Sequence, residues 1–271
     1  MPDNGLRETR DDIRSGKRIQ GPHLSEASLI QNIAHNLAAI QAQVAEACRA
    51  AGRNPAEVEL VAVSKTHPAE ALIAAHQLGI ALFGENRVQE AAAKAAGLPP
   101  TLRSALRVHL IGHLQSNKAA KAAEVFDGID SVDSLKLAQR LDEAAARVPR
   151  WATQRLPILL EIKLSHEETK AGIAPDSPEL AELLERLPDL THLEAQGLMT
   201  IAPLDVPAEE TRACFRQLRQ LRDRISQAHP RLNLPVLSMG MSGDFPLAIA
   251  EGATRIRIGT ALFGQREGYG A

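Results

Sequence analysis

The stretch "VELVAVSKTHPAEALIAAHQLGIALFG", residues Val58–Gly84, contains one complete strand–helix–strand unit. "VELVAV" (Val58–Val63) is a short apolar run rich in valine, which is typical of a buried strand. A helix-like segment, Ala69–Leu78, and a second apolar run, "ALFG" (Ala81–Gly84), follow it. A strand, a helix and another strand in this order predict two parallel strands of one sheet joined by a right-handed crossover.

The same alternation continues along the chain. Further strand candidates are "RVHLIG" (Arg107–Gly112), "GIDSVD" (Gly128–Asp133), "PILLEIK" (Pro157–Lys163), "LEAQGLM" (Leu193–Met199), "PVLSMG" (Pro235–Gly240) and "TRIRIG" (Thr254–Gly259). Helix-like segments between strands span Arg87–Ala96, Asn117–Val125, Leu135–Arg147, Pro178–Leu187, Ala208–Ala228 and Pro246–Glu251. Eight such units predict an α/β protein with a (β/α)8 TIM barrel. An open doubly wound sheet is the alternative, but no strand is followed by a glycine-rich nucleotide-binding loop.

The N-terminal part of the chain departs from this pattern. Residues 1–23 are polar and show no periodicity, which predicts a disordered extension. An amphipathic helix follows, with apolar residues from Leu29 to Ala47 at steps of three and four, and Gly52 ends it. We therefore expect a single barrel domain over residues 24–271 with an extra N-terminal helix.

Composition argues against several classes of function. The 271 residues are 44% hydrophobic and 24% charged, as in ordinary globular proteins. No apolar run approaches the roughly 20 residues that span a bilayer, and no signal peptide is evident, so we expect a cytoplasmic protein without a membrane partner. A net charge of -2 with dispersed basic residues predicts no nucleic-acid partner. Cys48 and Cys214 lack metal-ligand spacing, so no metal site is expected, and the 3% aromatic content makes a monomer the default.

Lys65 lies close behind the first predicted strand. In such barrels the active site forms at the C-terminal ends of the strands, so this lysine would lie at the barrel mouth. Partial burial there disfavours the ammonium form and lowers the pKa of the amine, which can then form a Schiff base with a carbonyl compound. The alternative is a lysine that caps the strand end and extends its ammonium group into water.

The loops after the last two strands consist mainly of small residues. They are "SMGMSGD" (Ser238–Asp244) and "RIGTALFG" (Arg257–Gly264). Barrels commonly bind phosphate here through backbone N–H groups, and Ser242, Gly259 and Thr260 are the candidates, with Asp244 as the expected N-cap of the next helix. The alternative is that these are only the small residues that every such loop uses. A phosphorylated aldehyde held by a lysine indicates pyridoxal 5'-phosphate as the cofactor.

Two arginines, Arg255 and Arg257, lie two residues apart on the last predicted strand and so share one of its faces. Arg257 is nearer the C-terminal end. A guanidinium beside the ring nitrogen of the cofactor would keep that nitrogen unprotonated and weaken carbanion chemistry. A salt bridge inside the barrel is the alternative role for Arg257.

Several motifs follow one another in order: "LVAVSKTHPAEAL", "FGENRVQE", "HLIGHLQSNK", "IDSVDS", "TKAGI", "GLMTIAP" and "LSMGMSGDFPLAIAEGATRIRIGTALFG". From about Leu29 to Gly264 they resemble the pyridoxal phosphate homeostasis protein family, also called the PROSC family. The resemblance implies a fold-type III barrel, as in the N-terminal domain of alanine racemase, and a Schiff base of the cofactor with Lys65. It also implies a role in vitamin B6 homeostasis.

The resemblance also assigns the remaining cofactor contacts. It gives phosphate contacts to Ser242, Gly259 and Thr260, the ring-nitrogen contact to Arg257, and a position near the ring to Asn86. Two residues depart from the family pattern, because His113 stands where a proline is usual and Arg255 where an uncharged residue is frequent. Residues 1–23 lie outside the resemblance.

Three functions are compatible with these features, and we expect the first. It is a non-catalytic carrier that holds the cofactor on Lys65 and supplies it to apo-enzymes. The second is a cofactor-dependent amino-acid racemase, which requires a second base. His113, Lys163 and Lys170 come from loops at the expected active end, although solvated side chains are the simpler expectation, and the only tyrosine is Tyr269. The third is a barrel enzyme in which Lys65 forms a Schiff base with a phosphorylated substrate.

Overall fold

Eight parallel strands form a closed barrel in the order β1 to β8 in a computed structural model that describes residues 26–165 and 171–265. The strands are β1 (Glu59–Val63), β2 (Leu82–Glu85), β3 (Arg107–Leu110), β4 (Gly128–Val132), β5 (Leu156–Glu161), β6 (Leu193–Met199), β7 (Val236–Ser238) and β8 (Arg255–Ile258). The helices are α1 (Glu26–Ala50), α2 (Ala69–Gln77), α3 (Val88–Gly97), α4 (Pro100–Ala105), α5 (Ala119–Val125), α6 (Leu135–Ala145), α7 (Pro178–Arg186), α8 (Ala208–Ala228), α9 (Phe245–Ala250) and α10 (Thr260–Phe263).

The pairing of β1 with β8 closes the barrel. Glu59 lies opposite Arg255 and Ala62 opposite Ile258 in a continuous parallel register. An open sheet would leave these two strands as edges, so the predicted (β/α)8 barrel is confirmed. Closure also brings the loops after β7, β8, β1 and β2 side by side at one end.

The helices cover the outer face of the barrel because the strands bury apolar side chains on that side. Ile256 and Ile258 of β8 are fully buried, whereas Arg255 and Arg257 occupy the opposite face, as the alternation of a strand requires. The predicted N-terminal helix is present as α1, and it packs against α2, α9 and α10 through a buried stripe that includes Ile33, Leu37 and Ile40.

Element boundaries differ from the sequence prediction in two respects. Helix α4 was not predicted, because six residues that begin with a proline are too few to show a helical period. The seventh strand has three residues, where the sequence suggested six, although backbone hydrogen bonds to β8 continue at Met239 and Gly240. Neither difference changes the order of the strands.

Some predictions fall on residues outside the described ranges. They are the disordered extension over residues 1–23, and the candidate bases Lys170 and Tyr269. Among the described residues, no helix is long and apolar enough to cross a membrane. Within residues 26–165 and 171–265, no three histidine, cysteine or acidic side chains are grouped as a metal site would require.

Candidate functional site

The predicted site residues meet at the C-terminal end of the barrel. They are Lys65 after β1, Asn86 after β2, Ser242 after β7, Arg257 within β8, and Gly259 and Thr260 at the start of α10. The four strands that position them are consecutive around the closed barrel. Residues almost 200 positions apart in the sequence are therefore placed side by side.

The loop that carries Lys65 makes a sharp turn. The backbone N–H of Ser64 donates to the carbonyl of Gly84 (3.0 Å), and that of His67 donates to the carbonyl of Ser64 (3.0 Å). Between them, Thr66 has a φ of 66°, a left-handed conformation that costs a β-branched residue on the order of 1–3 kcal/mol. Such strain is retained where surrounding contacts enforce it. Lys65, next to this residue, is partly buried.

The same loop contacts the start of the last helix. The ring of His67 lies 4.9 Å, centroid to centroid, from the ring of Phe263 in α10. A Cβ atom on Gly259 would lie 3.4 Å from Val63, at the end of β1. The Lys65 loop and the Gly259–Thr260 loop are thus in direct packing contact.

Several backbone N–H groups in the loops after β7 and β8 have no hydrogen-bond acceptor among the described residues. The Oγ of Ser242 accepts a hydrogen bond from the N–H of Ala261 (3.3 Å), which joins the two loops. The N–H groups of Ser242, Gly243 and Thr260 donate to no acceptor within the described part of the chain. Backbone N–H groups without acceptors in neighbouring loops can form a concave site for an anion.

The side chain of Asp244 does not have the predicted capping role. Asp244 occupies the N-cap position of α9, but its carboxylate makes no cap hydrogen bond there. The carboxylate instead accepts from the backbone N–H of Met241 (2.5 Å) within the loop. Burial raises the pKa of Asp244, despite this bond and the nearby charge of Arg257. Its observed role is to hold the loop that precedes the helix.

Arg257 is buried and is held by neutral groups. Its Nη1 donates to the Oγ of Ser238 (2.9 Å), and its Nη2 donates to the carbonyl oxygen of Thr200 (2.8 Å). Burial lowers the pKa of its guanidinium below the ordinary value. No carboxylate among the described residues lies within 4.0 Å of it, so Arg257 forms no salt bridge within this part of the chain.

A cavity of about 560 Å³ adjoins the site on the side of β2, β3 and β5. Its wall includes Asn86, His113, Glu161, Lys163 and Ser165. The Oε2 of Glu161 and the Oγ of Ser165 are buried and have no hydrogen-bond partner among the described residues. The sequence prediction missed Glu161, although one charged residue at the end of an otherwise apolar strand was a visible signal.

Burial and the charges near Glu161 determine the pKa of its carboxyl group. Burial, followed by the nearby carboxylate of Asp133, raises the pKa of Glu161 to about 7, against the opposing influence of Arg257 and His113. His113 is exposed, and its Nδ1 lies 3.1 Å from the Oδ2 of Asp133. His113 is therefore exposed to solvent, as expected for a loop side chain, and also lies beside a carboxylate.

Comparison with known proteins places the chain in a family. Residues 33–267 match the family described as "Alanine racemase, N-terminal domain". A pyridoxal phosphate homeostasis protein from Pseudomonas aeruginosa is 46% identical over 244 residues, which cover 89% of this chain and 99% of that protein. The chain belongs to the pyridoxal phosphate homeostasis protein family. A protein of the same name from Escherichia coli K12 is 39% identical over 240 residues, covering 88% of this chain and 98% of that protein.

Solved structures agree with membership of the pyridoxal phosphate homeostasis protein family. PipY of Synechococcus elongatus PCC7942, solved with PLP bound, superimposes with a TM-score of 0.71 at 46% identity, over 86% of this chain and all of that one. An alanine racemase from Clostridium difficile gives a TM-score of 0.61 at 15% identity, over 88% of this chain and 58% of that one. The racemase therefore shares the barrel fold, and the comparison goes no further than the fold.

Proposed function

We propose that this chain binds pyridoxal 5'-phosphate at the C-terminal end of its barrel and takes part in intracellular homeostasis of that cofactor. The observation that carries the proposal is the packing of the Lys65 loop against the Gly259–Thr260 loop, which a hydrogen bond joins to the loop of Ser242. Several backbone N–H groups of these last two loops have no acceptor among the described residues. The names of the relatives and the PLP bound to PipY support it.

The donors present suit the chemical groups of the cofactor. A phosphate is a strong multiple acceptor, and the N–H groups of Ser242, Gly243 and Thr260, with the hydroxyl of Ser242, are hydrogen-bond donors. Arg257 uses two of its N–H groups on neutral acceptors and has others that can face a ring nitrogen. We infer that Ser242, Gly259 and Thr260 hold the phosphate, and that Asn86 borders the ring.

The cofactor supplies an aldehyde that condenses with a primary amine. Lys65 is the amine in this proposal, and it lies on a turn that packs against the proposed phosphate loop of Gly259 and Thr260. Arg257 is always charged, so it keeps a proton away from a ring nitrogen at its side. Because a protonated ring is the stronger electron sink, this arrangement favours holding the cofactor over reaction at an amino-acid substrate.

We further propose that the protein is a non-catalytic cytoplasmic carrier that supplies the cofactor to apo-enzymes. Membership of a family named for homeostasis supports this role more than the racemase alternative. A test is hydrogen exchange at Cα of L-alanine in deuterated water, followed by NMR with cofactor-loaded protein. A carrier should show no exchange above the rate of free cofactor. Exchange that is lost in Lys65→Ala would instead establish catalysis.

The binding proposal is tested by visible absorption spectra before and after borohydride reduction. Wild type and Lys65→Ala are compared with Lys118→Ala, which removes another half-buried lysine of a βα loop. We expect a visible band and a borohydride-fixed adduct on Lys65 in wild type and Lys118→Ala, and neither in Lys65→Ala. If Lys65→Ala still forms the adduct, the cofactor is attached elsewhere. If wild type binds none, the proposal fails.

A further inference from the structure

Two side chains of α3 contact the backbone on either side of Lys65. The ammonium group of Lys94 donates to the carbonyl oxygen of Ser64 (2.7 Å). The carboxylate of Glu90 accepts from the backbone N–H of Thr66. The residues immediately before and after Lys65 are therefore both bonded to one helix.

These contacts belong to a largely buried ionic group. Lys94 lies 2.7 Å from Oε1 of Glu85 and 2.9 Å from Oε1 of Glu90, and the hydroxyl of Ser64 donates to the same oxygen of Glu85 (2.7 Å). The side chain of Lys94 is 12% exposed and that of Glu85 only 1%. Burial raises the pKa of Glu85 in spite of its bonds to Lys94 and Ser64. Burial acts on Glu90 in the same direction, but hydrogen bonds from Lys94 and from the Thr66 N–H lower its pKa overall.

Neutralising a buried lysine requires only the carboxylates. The bonds to the carbonyl of Ser64 and the N–H of Thr66 have a second effect, because they fix the backbone of the Lys65 loop. Thr66 is held at a φ of 66°, which a threonine rarely adopts without external contacts. The bond from its N–H to Glu90 is such a contact.

We propose that Lys94 and Glu90 are positioning residues that hold the Lys65 loop so that the lysine amine faces the phosphate loops. The inference rests on the proposed attachment of the cofactor to Lys65. An alternative is that the ionic group only attaches α3 to the barrel. The two roles predict different results. If Lys94 and Glu90 position the loop, their loss slows covalent attachment but leaves noncovalent binding of a cofactor analogue intact. If they only support the fold, both are lost together.

The test separates covalent attachment from binding. Pyridoxine 5'-phosphate has the ring and the phosphate but no aldehyde, so its dissociation constant reports on the site without the bond to Lys65. The attachment rate of pyridoxal 5'-phosphate is followed by absorption. The variants are Lys94→Met and Glu90→Gln, and the control is Lys121→Met, which removes an exposed lysine paired with Glu124 on α5.

We expect both variants to slow attachment at least tenfold, while the dissociation constant of pyridoxine 5'-phosphate stays within threefold of wild type. Lys121→Met should change neither quantity. Attachment rates within threefold of wild type in both variants would overturn the proposal. An equal loss of attachment and of pyridoxine 5'-phosphate binding would also overturn it, because the ionic group would then only support the fold. If Lys94→Met does not fold, Glu90→Gln decides the question alone, since Glu90 is partly exposed.

A second measurement is made on cofactor-free protein. Amide hydrogen exchange at Thr66 should be at least tenfold faster in Glu90→Gln than in wild type, because that variant weakens the acceptor of its N–H. Unchanged exchange would contradict the contact on which the inference depends. Absence of cofactor attachment to wild type would refute the proposed function, and the exchange result would still stand as a separate test of the loop contact.

Discussion

The two arginines of β8 show how differently the two ends of the barrel are built. Arg255, at the N-terminal end, donates through Nε and Nη2 to Oε2 of Glu59 (3.0 and 2.8 Å), and its Nη1 lies 3.4 Å from Oδ2 of Asp130. Asp130 also contacts Nδ1 of His109 (2.8 Å). Arg257, two residues later and equally buried, is bonded among the described residues only to the neutral groups of Ser238 and Thr200.

The glutamates at the two ends differ in the same way. Although burial raises the pKa of Glu59, Arg255 and Arg107 lower it below the ordinary value. Glu161, at the C-terminal end, has one oxygen without a partner among the described residues, and its pKa is raised to about 7. Charges at the N-terminal end are thus satisfied internally, as stability requires. At the C-terminal end, the carboxylate of Glu161 is incompletely satisfied within the described part of the chain, which is typical of a binding site.

The strongest test of this contrast is Arg255→Met. The change removes one guanidinium from Glu59, which keeps Arg107, and from Asp130, which keeps His109. Breaking a buried ion pair costs about 3–5 kcal/mol when no partner remains, so we expect a loss of about 3 kcal/mol. Urea unfolding should show that loss, while the folded fraction still attaches pyridoxal 5'-phosphate. A loss below about 1 kcal/mol, the median for surface pairs, would mean that the N-terminal network is not structural.

Glu161→Gln tests the opposite end through pH. The folded-state pKa of Glu161 is about 7 against an ordinary 4.5, so the folded protein holds an extra proton between these values. This extra proton contributes about 3 kcal/mol to the free energy of unfolding. The contribution is fully present below the ordinary pKa and is lost as pH rises through 7. Relative to wild type, the free energy of unfolding of Glu161→Gln in urea should therefore rise by about 3 kcal/mol between pH 4.5 and about 7.5.

Glu59→Gln provides the control of opposite sign. Because the pKa of Glu59 is lowered, its charged form contributes stability above the ordinary pKa, and that contribution is lost as pH falls. Glu59→Gln should therefore be most destabilising near neutral pH. Parallel pH dependence of the two glutamine variants would contradict the assignment of one paired and one unpaired carboxylate.

Arg257→Met is expected to affect cofactor retention more than folding. It leaves one hydroxyl and one carbonyl without a donor and removes a buried cation, so we expect a smaller loss of stability than in Arg255→Met. Loss of a hydrogen bond from a charged group to the cofactor costs about 1.5–3 kcal/mol, or roughly ten- to a hundredfold in the dissociation constant. Equilibrium dialysis with pyridoxine 5'-phosphate measures this dissociation constant. An unchanged constant would remove Arg257 from the site.

Ser242→Ala should have the smallest effect. It removes one hydroxyl from a site otherwise made of backbone donors, so we expect about 0.5–1.5 kcal/mol, roughly two- to tenfold, in the same dissociation constant. Covalent attachment to Lys65 should persist. The matched control is Ser104→Ala, an exposed serine of α4 that bonds only within its own helix. Equal effects of the two changes would show that Ser242 does not contact the phosphate.

The sequence predicted the fold well because its signals are local. Short apolar runs alternate with helical periods, and each strand is followed by small or polar residues, so the barrel, α1 and the placement of Lys65, Asn86 and Ser242 could all be predicted. The sequence missed α4 because a helix of six residues gives too weak a local signal. The prediction for Asp244 failed because its N-cap position did not determine the hydrogen bond of its side chain.

The sequence by itself determined the order of elements, the end of the barrel where polar residues gather, and the membership of a family. It also placed Arg255 and Arg257 on one face of β8. Only the tertiary structure decided that Arg255 is ion-paired and that Lys94 contacts the loop of Lys65. It also decided that, among the described residues, Arg257 has no carboxylate partner and Oε2 of Glu161 has no hydrogen-bond partner. The contacts of Arg255 and Lys94 join residues from 30 to 196 positions apart, with burial set by closure of the barrel, so no local pattern records them.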